Sequence, residues 1–146
     1  MRRASNAGFS LIEIALVLVV AGLVMGIGVP AVGRYLDDVA LEGAIGKVRS
    51  TARMTRSRAM ATRTSQTMLF QQGYSGSDYR VEIDGVMKNG WTLPRGISYA
   101  SLSGTITSFT VTPDGRCSAS GLIILRNSHD RMDTLSVLSS GLVLDK

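Results

Sequence analysis

The sequence is poor in the residues that cross-link, ligate or catalyse. Its 146 residues include one cysteine, one histidine, one tryptophan and three prolines. Because Cys117 has no second cysteine to pair with, an intrachain disulfide and a cysteine-ligated zinc cluster are both excluded. The single histidine, His129, stands beside Asp130 but lacks the nucleophile-elbow context of a serine hydrolase. We therefore predict no catalytic residues and assign His129 to a surface loop.

Motifs for metals and cofactors are missing as well. Asn127, Asp130 and Asp133 could offer oxygen ligands to calcium, but their spacing is not that of an EF-hand loop. Residues 26–31 fit the dinucleotide pattern G-x-G-x-x-A without the strand-helix-strand context that it requires. We expect no metal and no cofactor. The net charge of +5 is too mild to indicate a dedicated nucleic-acid-binding protein.

Charge is also nearly absent from residues 9–33, where Glu13 is the single charged residue. As a helix, residues 9–32 would be about 36 Å long, enough to cross a bilayer core of about 30 Å. The run exceeds the roughly 7–15 apolar residues of a signal peptide, so it predicts a retained transmembrane helix at 9–33. Arg2 and Arg3 predict a cytoplasmic N-terminus, with the rest of the chain exported from the inner membrane.

Glu13 is the anomaly in this segment. An unpaired carboxylate in hydrocarbon is expensive, and intramembrane ionisable residues are functional candidates by default. The nearest basic residues in sequence are Arg3 and Arg34, both too distant to serve as local partners. If the chain were cut after Gly8, however, the new amine of Phe9 would lie one helical turn from Glu13. In an assembly, Glu13 could instead reach the amine of a neighbouring copy. Either pairing would neutralise the carboxylate where the dielectric constant is low.

The stretch Gly8-Phe9-Ser10-Leu11-Ile12-Glu13 closely resembles the processing signature of type IV prepilins and type II secretion pseudopilins. The resemblance implies that residues 1–8 are a leader, which a prepilin peptidase removes after Gly8. It also implies methylation of the new terminal amine on Phe9. Glu13 then becomes the residue that docks the subunit into a helical filament of pilins.

A second prediction concerns two glycines and a proline within the apolar run. Gly22 and Gly26 form a G-x-x-x-G pair, and Pro30 follows one helical turn later. They predict close packing between subunits and a deformable stretch before Pro30. The alternative is simply that glycine and proline are commoner in membrane helices than in soluble ones. The family resemblance favours the functional interpretation.

Residues 34–64 have the pattern of an amphipathic outer helix that continues the first segment. Its apolar positions fall on one narrow stripe, which suits a sheet packed on one side: Leu41, Ile45, Val48, Ala52 and Ala59. We predict one helix from about Phe9 to about Arg63, bent near Pro30. No acidic residue lies between Gly43 and Thr64, and Arg49, Arg53 and Arg56 share a face. These arginines could contact DNA, lipid headgroups or an acidic neighbour, but a solvated face is favoured.

The remaining residues, 65–146, predict a β-rich globular head. Candidate strands lie at residues 67–71, 79–83, 97–99, 109–112, 122–126, 135–138 and 142–144. Pro113-Asp114-Gly115 predicts a turn, and residues 139–141 predict a closing hairpin turn. The stretches FTVTPDGRCSASGLIIL and DTLSVLSSGLVLD resemble the C-terminal half of the minor pseudopilin H (GspH/FimT-like) family. The chain departs from that family at Cys117 and in the loop of residues 71–88.

The expected fold class is therefore α+β and type IV pilin-like, with a long N-terminal helix packed on an antiparallel β-sheet head. The resemblance implies a non-enzymatic minor pseudopilin of a type II secretion system, in a short periplasmic filament that assists protein export. The alternative is a minor type IV pilin for pilus assembly or DNA uptake. A third hypothesis is a membrane-anchored binding domain that never polymerises. Expected partners are prepilin peptidase, other pilins and the inner membrane, with DNA not favoured.

Overall fold

The computed structural model describes residues 10–74, 76–101 and 103–145. One α-helix precedes eight strands: α1 (Leu11–Thr62), β1 (Gln66–Tyr74), β2 (Ser77–Ile83), β3 (Val86–Trp91), β4 (Ser98–Tyr99), β5 (Ser108–Val111), β6 (Gly121–Arg126), β7 (Met132–Val137) and β8 (Val143–Asp145). The chain divides between Leu36 and Asp37 into an N-terminal unit and a C-terminal unit. We describe each unit by itself.

The N-terminus of α1 is closed by its own sequence. Ser10 is the N-cap, because its Oγ accepts a hydrogen bond from the Ile12 amide at 3.4 Å and its carbonyl accepts one from the Glu13 amide at 3.0 Å. Ser10 and Glu13 have the Ser-x-x-Glu spacing of a capping box. A carboxylate at this position also interacts favourably with the positive end of the helix dipole.

The C-terminus of α1 is closed by a left-handed residue. Arg63 has φ of 53°, and the Thr64 amide donates to the Ala59 carbonyl at 3.3 Å. This is the long hydrogen bond of a Schellman cap, in which glycine is the usual left-handed residue. The predicted end at about Arg63 is therefore within one residue of the observed end at Thr62. The reversal directs the chain into β1.

The predicted apolar stripe of α1 is confirmed. All five of its positions are buried, with exposed fractions of 2% or less: Leu41, Ile45, Val48, Ala52 and Ala59. They share one apolar core with residues of both sheets, including Met68, Tyr79, Phe109, Leu125 and Leu135. At about 25 cal/mol per Å² of apolar area, this burial is the main stabilising contribution to the C-terminal unit.

The strands form two antiparallel four-stranded sheets, in the orders β3-β2-β1-β5 and β4-β6-β7-β8. The predicted antiparallel β-sheet head thus consists of two sheets. Strand β3 was missed because Lys88, Asn89 and Gly90 have low strand propensity. It forms because Asp84 and Gly85, with φ of 52° and 75°, close a tight hairpin onto β2.

The two predicted turns are present and lie against each other. In the second turn, the Gly141 amide donates to the Leu138 carbonyl at 2.8 Å, and Gly141 has φ of 79°. A Cβ atom at Gly141 would collide with the carbonyl oxygen of Gly115. Gly141 thus meets two demands, a left-handed backbone and a close approach to the neighbouring turn.

We predict that Gly141→Ala destabilises the protein far more than Gly85→Ala. Both glycines have positive φ, but a Cβ atom at Gly85 would meet nothing within 4 Å. Gly85→Ala should therefore lower the free energy of unfolding by only about 1 kcal/mol, from backbone strain. Gly141→Ala should lower it by about 3 kcal/mol, because the clash adds to that strain. Thermal unfolding of the full chain in detergent micelles measures both, and equal losses would show that the turn contact is unimportant.

Candidate assembly interface

The N-terminal unit presents a long apolar surface. In α1 the most apolar 18-residue window has a mean hydropathy of 2.6 and is not buried by the rest of the protein. Described side chains along this segment are exposed apart from Ala21, which is half-buried, and Leu11 reaches 88% exposure. By length and composition the helix is a candidate membrane span. A surface of this size needs lipid or other apolar protein to cover it.

Glu13 lies on the first turn of this exposed helix. Within the described residues, no side chain forms an ion pair or hydrogen bond with its carboxylate. Gly8 and Phe9, the predicted cleavage and methylation residues, lie outside the described part of the chain. The pairing of the Phe9 amine with Glu13 therefore stays a prediction.

Gly22 and Gly26 are not packed against any other part of the chain that the structure describes. A Cβ atom at either position would meet nothing within 4 Å. The backbone remains α-helical through Pro30, although proline has no amide hydrogen to donate to the Gly26 carbonyl. Close packing between subunits and deformation before Pro30 both stay predictions.

The three arginines predicted to share a face have different environments. Arg56 is half-buried, and its Nε donates to the Gly115 carbonyl at 3.0 Å. Its Nη2 donates to the Ser140 carbonyl at 3.4 Å. One side chain on α1 thus ties together the two turns described above. Of the predicted trio, Arg49 is also half-buried and only Arg53 is exposed.

The position of Arg56 also affects the single cysteine. Cys117 is buried, and its amide donates to the Ser139 carbonyl at 3.0 Å. Burial raises the pKa of the Cys117 thiol, and the positive charge of Arg56 offsets part of that rise. A thiol in this environment is a packing group rather than a nucleophile.

A second polar cluster joins α1 to the loop between β6 and β7, residues 127–131. The guanidinium of Arg131 lies 2.7 Å from Asp38 and 3.3 Å from Glu42. Its hydrogen bond with Asp38 and the charge of Asp38 raise the pKa of Arg131 above its usual value. The side-chain amide of Asn127 donates through Nδ2 to Asp38 Oδ1 at 2.8 Å. Sequence reasoning missed this cluster because its partners are 89 residues apart and no local pattern marks them.

The same loop contains Asn127 and Asp130, considered above as metal ligands, and His129, considered above as a catalytic residue. Asn127 Oδ1 accepts hydrogen bonds from the amides of His129 and Arg131, at 3.0 and 2.9 Å. His129 Nδ1 lies 3.1 Å from a carboxylate oxygen of Asp37. The side chain of Asn127 is therefore occupied by structural contacts. A search of the described residues finds no group of three or more His, Cys, Asp or Glu side chains arranged to hold a metal ion.

Comparison with known proteins identifies the architecture. No protein-family model and no curated protein matches the chain. Among solved structures, the type IV minor pilin FimU of Pseudomonas aeruginosa strain PAO1 matches in two crystal forms. The form in space group P21 has a TM-score of 0.60 and 12% identity, covering 77% of this chain and 92% of FimU. The form in space group P65 has a TM-score of 0.57 and 13% identity, covering 73% and 92%.

The chain has the type IV pilin fold. The predicted fold class, a long N-terminal helix packed on antiparallel β-structure, is thereby confirmed. Since only 12% and 13% of residues are identical, the likeness to FimU carries the fold and not its function or partners. The narrower assignment to the pseudopilin H family stays a hypothesis.

We predict that Arg56 and Arg53 behave differently when each is replaced by glutamine. Arg56→Gln removes two hydrogen bonds from a charged donor and should lower the free energy of unfolding by about 1–2 kcal/mol. Arg53→Gln changes an exposed side chain on the same helix and should alter it by less than about 0.5 kcal/mol. Thermal unfolding in detergent micelles gives both values. A loss for Arg53→Gln as large as that for Arg56→Gln would contradict the assignment of Arg56 as a structural tie.

Proposed function

We propose that this protein is a non-enzymatic filament subunit that is stored in the inner membrane through α1 and drawn from there into a helical assembly. The observation that carries the proposal is the exposed apolar helix, interrupted by one acid, on a type IV pilin fold. The leading version is a minor pseudopilin of a type II secretion system, in a short periplasmic filament that assists protein export. The likeness to FimU supports the second version, a minor type IV pilin for pilus assembly or DNA uptake.

Local interactions support the role of Glu13 in this cycle. The carboxylate of Glu13 lies in the first turn of α1, at the positive end of the helix dipole. That dipole offsets part of the free-energy cost of an acid near the membrane. Cleavage after Gly8 adds a full positive charge on Phe9, one helical turn away. In the filament, the amine of an adjacent subunit supplies the same charge.

The exposed surface supports assembly by burial. Apolar side chains gain nothing by leaving lipid for another apolar surface, so helix association depends on close packing and on polar contacts. Gly22 and Gly26 allow close approach because, among the described residues, no atom beyond the adjoining helix backbone lies within 4 Å of a Cβ added at either position. Glu13 and the Phe9 amine supply the polar contact.

The arginines favour this interpretation over DNA binding. Arg56 is engaged with two turns of its own unit, so Arg53 is the one fully exposed member of the trio. Sequence-independent DNA binding depends on the number of phosphates that basic side chains can contact. A trio reduced in this way offers a DNA duplex fewer phosphate contacts than the sequence pattern indicated.

The first test is mass spectrometry of the mature N-terminus purified from native membranes. We expect a chain that begins at Phe9 and carries a methyl group on its amine. An intact Met1, or a cut near Gly33, would overturn the processing pathway. Neighbouring genes distinguish the pseudopilin from the minor pilin. Genes for a secretin, an ATPase and cargo beside this gene would support secretion. Genes for a retraction ATPase or for competence would support the pilus.

The second test is incorporation of Glu13 variants into filaments. Glu13→Gln preserves the size of the side chain but removes the charge, so we expect a mature subunit that stays in the membrane. The amount in sheared filaments should fall at least tenfold, which corresponds to loss of about 1.4 kcal/mol or more of docking free energy. Immunoblotting of sheared and membrane fractions measures the ratio.

Ser10→Ala is the matched control, since it removes the helix cap and keeps the acid. We expect near-normal incorporation of Ser10→Ala if the charge of Glu13 is what matters. An equal defect in the two variants would show that helix capping, rather than charge, is required. Normal function of Glu13→Ala would support the anchored binding domain that never polymerises.

A further inference from the structure

The C-terminal unit begins on α1 at Asp37, and the loop of residues 127–131 contacts the first turn of α1 within that unit. Three acidic residues of this turn take part: Asp37, Asp38 and Glu42. The chain before them has a different character, because the side chains of residues 31–36 are all exposed. The first side chains of α1 that the loop contacts, Asp37 and Asp38, therefore lie within two residues of the boundary between the units.

Arg131 is the central cation of this contact. Its Nη1 faces Asp38 and its Nη2 faces Glu42, so one guanidinium spans two acids that are one helical turn apart. A planar guanidinium can serve two carboxylates at once, whereas a lysine ammonium is a point charge. The pair of contacts therefore fixes both the position and the rotation of this helical turn.

Asn127 holds the loop in the shape that these contacts require. Its side chain is 3% exposed, and it bonds to Asp38 and to two amides of its own loop. Asp130 adopts φ of 58°, which completes the tight loop. Ser128 Oγ donates to Asp37 at 2.5 Å, and His129 lies beside the same carboxylate. The loop is thus preorganised rather than shaped by the helix alone.

We propose that residues 127–131 act as a clasp that fixes the turn of α1 from Asp37 to Glu42 and stops unwinding of the helix at Asp37. The clasp itself needs only the contacts described above. Its use during assembly rests on the filament function proposed in the preceding subsection.

Hydrogen–deuterium exchange of the full chain in detergent micelles tests the clasp. In Arg131→Ala, we expect amides of residues 37–42 to exchange about tenfold faster than in the unmodified protein. Amides of β1 and β6 should keep their rates. Arg131→Lys should give an intermediate increase, because one ion pair survives. Arg58→Ala, which removes an exposed arginine from the same helix, should change nothing.

Other outcomes count against the clasp. Unchanged exchange at residues 37–42 in Arg131→Ala would show that the turn is held without it. An equal increase in β1 and β6 would show general destabilisation instead of local release. A rate for Arg131→Lys as fast as for Arg131→Ala, with Asn127→Ala unchanged, would reduce the cluster to a surface ion pair.

The clasp and the filament function can fail separately. Exchange is measured on the unassembled chain in detergent micelles and does not require assembly. Selective release at residues 37–42, together with normal incorporation of Glu13→Gln, would leave the clasp standing and remove the filament function. Failed incorporation of Glu13→Gln with unchanged exchange in Arg131→Ala would do the reverse.

Discussion

The first half of α1 exposes apolar side chains along its length, and it must find its cover in lipid or in other protein chains. This constraint separates the two parts of the molecule. The C-terminal unit satisfies its own apolar groups, because the stripe from Leu41 to Ala59 is buried together with residues of both sheets. The N-terminal unit has no such core among its described residues. Attachment to a bilayer or to other chains, as proposed above, would remove this exposed apolar surface from water.

The polar contacts of the C-terminal unit contribute direction, whereas its apolar core contributes stability. Burial of apolar area is non-directional, and it would tolerate a small rotation of α1 over the sheets. Arg56 and Arg131 add directional contacts at two separated points, because each guanidinium is bonded to defined oxygen atoms. Arg56 donates hydrogen bonds to carbonyl groups of two turns, and Arg131 pairs with carboxylates of the helix. Together these polar contacts favour one orientation of α1 on the apolar core of the C-terminal unit.

Sequence patterns that depend on near neighbours predicted much of this structure. The buried stripe of α1 follows from helical periodicity, and the turns at residues 113–115 and 139–141 follow from proline and glycine. Strand β3 escaped prediction because its pairing with β2 outweighs the low strand propensity of Lys88 to Gly90. The roles of Arg56 and Arg131 escaped it because their partners are distant in sequence. A face of three arginines looks uniform on a helical wheel until the loops that cover one of them are placed.

Pro30 interrupts the backbone hydrogen-bond ladder within the apolar half of α1. The Gly26 carbonyl has no proline amide to bind one turn ahead, and hydrocarbon offers no water in its place. In the bilayer-stored state proposed above, an acceptor without a donor would raise the free energy of the monomer relative to a state that hydrates the group or pairs it with a neighbouring hydroxyl. The interruption of the hydrogen-bond ladder at Pro30 would thereby favour departure of the helix from the bilayer.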